Sequence, residues 1–119
     1  MDIKITVPIE RVRDTLVTAF EGGSNYWYSD LKVVRDVAEQ GEPGCHRFHI
    51  IPTVKGGSIS LRDDEGVKHT LNLAKVEKGL QTLAEKFPQH FADLIAENDD
   101  ADTGDALLQC CIFGDVIYG

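Results

Sequence analysis

Residues Gly22, Gly23, Ser24, Asn25, Tyr26, Trp27 and Tyr28 set bare backbone amides, a hydroxyl, a carboxamide and three aromatic rings in one short segment. Glycine lets backbone N–H groups approach a ligand closely. Aromatic rings bring stacking faces and polar tips. That combination suits the capture of a planar polar molecule, since stacking one base on an aromatic ring contributes roughly 1–3 kcal/mol. Two readings follow from the residues. In one, Gly22 closes a helix as a left-handed C′ residue and the aromatics plug the core. In the other, Gly22, Gly23 and Ser24 donate to an anionic or carbonyl group while Trp27 or a flanking tyrosine stacks on a ring. The segment is no phosphate-binding Walker loop, because no Gly-Lys-Ser/Thr follows. It is no dinucleotide fingerprint, because it ends a helix instead of opening one.

Other chemistry is thinner. Cys45, His46 and His49 lie close together, and Cys110 and Cys111 form a later pair. Structural zinc sites use Cys-x-x-Cys or His-x-x-x-His units, which these spacings do not match. Buried small hydrophobes are the role expected of the two adjacent cysteines. Asp99, Asp100, Asp102 and Asp105 invite a calcium reading, but Gly104 is out of register and no bidentate Glu follows at the required distance. Capping of a final helix by Asp102 or Thr103 is the expectation there; imitation of nucleic-acid phosphates is the alternative. Neither His90 nor Ser24 shows a nucleophile–base partner. No catalytic residue, metal or cofactor is assigned.

Twenty acidic residues against twelve basic ones give a net charge of -8. This argues against a broad basic surface for gripping nucleic acid, so no direct nucleic-acid binding is expected. It leaves room for a small pocket with a few cations, and Arg47, Lys55 and Arg62 are the candidates for phosphate contact. No apolar run reaches membrane-spanning length. The start Met1-Asp2-Ile3-Lys4 has no signal-peptide core, so a cytoplasmic location is expected. An odd count of three cysteines fits reduced thiols.

These residues need a scaffold. Alternation at Ile3, Ile5 and Val7 predicts a strand. Ile9, Val12, Leu16, Val17 and Phe20 predict a helix over about residues 8–21. Residues 28–37 fit either a strand or a helix. A strand is expected over 47–54, with Pro52 at a sheet edge, then strands 58–62 and 67–71 joined by a hairpin loop. Asn72 should cap a helix running to about Phe87. Pro88 restarts the helix, and a last helix ends at Gly114. The order predicts a single α+β domain, a small antiparallel sheet with helices packed on one face.

Three blocks resemble a family of small proteins encoded by tailed bacteriophages and prophages: residues 20–28 (FEGGSNYWY), 96–105 (AENDDADTGD) and 109–119 (QCCIFGDVIYG). The resemblance implies a phage origin and a host-cytoplasmic setting. Small accessory phage proteins of this kind are often counter-defence factors. By that analogy of context the leading expectation is a non-enzymatic sponge. It would sequester a small nucleotide-derived immune signal, of cyclic-nucleotide or cyclic ADP-ribose type, on Gly22, Gly23, Ser24, Asn25, Tyr26, Trp27 and Tyr28 with Arg47, Lys55 and Arg62. The alternatives are an acidic inhibitor of a host defence complex acting through Asp99, Asp100 and Asp102, or a phage assembly accessory protein. The apolar tail, or the sheet edge near Pro52, is expected to support a homo-oligomer.

Overall fold

A computed structural model describes residues 5–37 and 48–119. The element order is α1 (Ile9–Thr18), a π-helical turn (Ala19–Gly23), β1 (Ser29–Arg35), a 3-10 turn (Ile51–Thr53), β2 (Ser58–Arg62), β3 (Lys68–Asn72), α2 (Leu73–Lys86), α3 (Pro88–Ile95) and α4 (Ala101–Phe113). The strands form an antiparallel sheet in the order β1-β2-β3. This is the α+β class expected from the sequence.

The sheet is two-sided because strand side chains alternate. Ile59 sits opposite Leu71, and Leu61 opposite His69. Ile59, Leu61 and Leu71 are buried in the core. The intervening positions, Ser60 opposite Thr70 and Arg62 opposite Lys68, face the other way. The region 28–37, open to two readings, is a strand. It departs from ideal pairing with β2 at two places, and Asp30, within the first of them between Ser29 and Lys32, takes a left-handed φ of 57°.

The helices cover the apolar face. Val76, Gly79 and Leu83 form the inner stripe of α2, and Asn72 caps it by accepting from Lys75 N at 3.0 Å. α4 runs through the centre. Thr103, Gly104, Ala106, Leu107, Leu108, Gln109, Cys110 and Cys111 are all buried, as expected of a helix surrounded by packing. Its neighbours approach closely where side chains vanish. A Cβ on Gly79 would overlap the backbone of Cys111, and one on Gly104 would lie 2.8 Å from Ala19 N. α4 ends at Gly114, in the left-handed conformation with φ 73°.

Several expectations are corrected. Ile5 to Val7 form no strand. Helix α1 does not end on a left-handed Gly22, whose φ is 175°. It loosens into the π turn instead, closed by Ser24 N donating to Ala19 O at 2.9 Å. No strand covers 48–54. Pro52 lacks an N–H to donate to a ladder, and Thr53 turns its hydroxyl back onto Ile50 O at 2.7 Å, which suits a tight turn. The cap of α4 is Asp100, accepting from Thr103 N at 3.0 Å, and not Asp102 or Thr103. Arg47, Cys45 and His46 lie outside the described residues.

Candidate functional site

The loop of residues 22–28 is held by the first turns of α4. Asp105 is the hub. Its Oδ1 accepts from Ser24 Oγ at 2.8 Å, from Trp27 Nε1 at 2.8 Å and from Gln109 Nε2 at 3.1 Å. Its Oδ2 accepts from the Tyr26 hydroxyl at 2.5 Å. Gln109, one helical turn later, ties down the chain's end: its Oε1 accepts from Ile117 N and Tyr118 N, both at 2.8 Å. One aspartate and one glutamine thus fasten two distant segments to the same helix face. Spacing of four residues puts both on that face.

The aromatic residues pack around this hub. Trp27 is 2% exposed. The ring of Tyr118 stacks on it at 5.5 Å and 9°, while Phe113 and Tyr28 lean against it at 5.3 and 5.9 Å. Tyr28 donates to Phe20 O at 3.0 Å. Gly23 lies so close to α4 that a Cβ would sit 2.5 Å from Ala101 O. Ser24 is fully buried, and Gly22, Asn25 and Tyr26 are exposed. Partial burial, with the neighbouring Asp105 carboxylate second, pushes the Tyr26 phenol up from 10.0 to about 12. Burial also raises Tyr28 and Tyr118. Among the described residues the tail after α4 forms no strand. It coils over Trp27.

Lys55 and Arg62 are not part of this loop. Lys55 lines an open cleft of about 530 Å³ with Arg35, Gly56, Gly57, Ser58, Asn72, Leu73, Ala74 and Glu77. Arg35, Ser58 and Asn72 form one cross-strand row that floors it. The 55–57 turn and the first turn of α2 are its walls. Its volume is within the range of small-molecule sites. Among the described residues Arg35 and Lys55 make no ion pair. Arg62 lies at the other end of the same sheet face, where it donates to Asp30 Oδ2 at 3.3 Å and Gly66 O at 2.9 Å. The sequence reading missed Arg35. No simple alternation marks it, because Val33 and Val34 are adjacent and Arg35 joins the Ser58 row only through the register shift after Val33.

Other titratable groups have structural partners. His69 Nε2 meets Asp63 Oδ2 at 2.7 Å, and that contact, ahead of two backbone amides, holds the Asp63 carboxyl low. His90 Nδ1 lies 3.1 Å from Thr103 Oγ1. The Thr103 amide lowers Asp100. Burial raises the Cys110 thiol to about 11 and pushes Cys111 further up. No three His, Cys, Asp or Glu side chains converge as a metal-ligand set among the described residues. No described helix is long and apolar enough to cross a membrane. The chain matches no family model, no curated protein and no solved structure.

Proposed function

We propose that this chain is a binding protein, not an enzyme, and that it sequesters a small phosphorylated, nucleotide-derived ligand. The observation that carries this is the cleft of Arg35 and Lys55. Two cations without ion pairs among the described residues flank one open concavity in a chain of net charge -8. An acidic protein that leaves cations unneutralised around a cleft has a place for an anion. Hydrogen bonds to charged groups contribute about 1.5–3 kcal/mol each, enough to hold a phosphoryl group from two sides.

The non-catalytic reading rests on what the candidate nucleophiles do. The Ser24 hydroxyl donates to a carboxylate that also holds Trp27 in place. The helix thiols are buried and their pKa values raised. The resemblance to phage accessory proteins supplies the setting, in which withholding a nucleotide signal from its effector is counter-defence. On this reading the phosphoryl group sits with Lys55 and Arg35 at the end of the sheet, and the Gly22–Gly23 turn takes no part in holding it.

Calorimetry with nucleoside monophosphates, cyclic nucleotides and ADP-ribose compounds tests the proposal. At least one should bind, Arg35→Ala should weaken it about tenfold or more, and chromatography should recover it unchanged. A wild-type protein that binds none, or that turns the ligand over in proportion to protein, overturns it.

A further inference from the structure

The cleft is one end of a longer feature. Three cross-strand rows lie on the face of the sheet opposite Ile59, Leu61 and Leu71: Arg35–Ser58–Asn72, Lys32–Ser60–Thr70 and Ser29–Arg62–Lys68, with Ser60 at the centre buried and the cations exposed. Every side chain in these rows is polar, and each row carries a cation. Successive rows are two residues apart on β2, so the outer rows are separated by roughly 13 Å at about 3.3 Å per residue. Ser29, Ser58, Thr70 and Asn72, each at least partly exposed, add hydroxyl and carboxamide groups to the same rows.

Resting on the binding function proposed above, we infer that the ligand is an oligonucleotide, linear or cyclic, with two or more phosphoryl groups spread along these rows. A mononucleotide would engage only the cleft. The face already holds one anion of its own. Asp30, on the irregular edge of β1, places Oδ1 3.2 Å from Lys32 Nζ and Oδ2 3.3 Å from Arg62 Nε. Its carboxyl is held low by Lys32 first and then Arg62. The two cations converge on a carboxylate between the middle and far rows, where a second phosphoryl group of a bound ligand would compete with it. Lys68 makes no ion pair among the described residues.

Acidic residues bound the strip. Asp64 and Glu65 are exposed in the turn after Arg62, and Glu77 stands at the cleft end. A long polyanion would run from the cationic rows into these carboxylates at either end. The face therefore suits a short ligand and disfavours an extended nucleic-acid strand.

Three probes compared by calorimetry on the full chain give the test: adenosine monophosphate, a 5′-phosphorylated linear triadenylate and a cyclic triadenylate, with a twenty-nucleotide single strand as control. At least one triadenylate should bind about tenfold or more tighter than the monophosphate. The ratio of the two affinities should fall roughly two- to fivefold in Lys68→Ala and rise by a similar factor in Asp30→Asn. Asparagine tolerates the left-handed backbone at that position, so Asp30→Asn frees Lys32 and Arg62 without straining the strand. Equal binding of monophosphate and both triadenylates, or a ratio unmoved by both variants, overturns the inference and leaves the cleft reading intact. No binding of any probe also overturns the inference, and the cleft reading then falls only if the ADP-ribose compounds and other nucleotides named above fail to bind too. Tighter binding of the twenty-nucleotide strand than of either triadenylate, per site, overturns the limit on length.

Discussion

The loop of residues 22–28 and the polar face of the sheet are opposites in one respect. The loop is rich in groups that suit a ligand, and the protein uses them itself. Ser24, Tyr26 and Trp27 all donate to Asp105, and the Trp27 ring is stacked by Tyr118. The sheet face is plainer in composition, yet Arg35, Lys55 and Lys68 make no ion pair among the described residues. Residue type alone does not distinguish a binding group from a structural one. What distinguishes them is whether the fold has already satisfied the group. Buried polar groups find partners because leaving them bare costs about 1–3 kcal/mol, and no buried side-chain polar atom lacks one among the described residues. Exposed cations incur no such penalty, so a fold can leave them open.

The sharpest test of that contrast is Trp27→Ala. The indole is buried against Phe113, Tyr28 and Tyr118, and its N–H reaches Asp105. Truncation should cost about 3–5 kcal/mol of stability, as large aromatic deletions in cores do. That is a large share of the roughly 5–15 kcal/mol a domain has. Urea denaturation measures it. A loss below about 1 kcal/mol, with ligand affinity reduced instead, would return the loop to the role its composition suggested.

A smaller effect comes from Tyr26, the most exposed member of the hub. Its phenol is raised to about 12 from 10.0, so the folded state favours the neutral, donating form. The corresponding stability is fully present below pH 10 and is lost as pH rises through 12. Wild type should therefore melt above Tyr26→Phe by a constant margin from pH 6 to 9, and that margin should shrink above pH 10. A margin that stays constant through pH 11 would mean that the hydroxyl does not depend on Asp105. Tyr28 and Tyr118 are shifted the same way, so the comparison must be between the two proteins and not along one curve.

Much of the fold was legible because its signals are local. Alternation gave β2 and β3, the 3.6 period gave α2, and Asn72 and Gly114 marked helix ends by their own chemistry. The errors lie where a distant partner decides. Thr53 folds into a turn whose hydroxyl also accepts from Arg13 Nε at 2.9 Å, forty positions away. The π turn forms where Gly23 meets Ala101. The site was harder for the same reason. Asp105 stood in a run of acids weighed as a calcium site, a helix cap or a phosphate mimic, and nothing in the sequence says that Ser24 and Trp27 turn toward it. Gln109 and Tyr118, within a resembling block, carried no visible role until the tail was seen to fold over Trp27.

The smallest expected effect tests the other half of the comparison. Arg35 and Lys55 line the cleft and are exposed. If the fold does not use them, Arg35→Ala with Lys55→Ala should change stability by no more than about 0.5 kcal/mol, the usual range for surface positions without special features. The direction should be slightly downward, since removing two cations from a chain of net charge -8 adds to its self-repulsion. Raised salt should screen that repulsion and shrink the loss. Denaturation at low and high salt, read alongside the binding assay, separates the two roles. A salt-independent loss above about 1 kcal/mol would make these side chains structural, like those of the loop, and would remove the physical basis for placing a ligand at the end of the sheet.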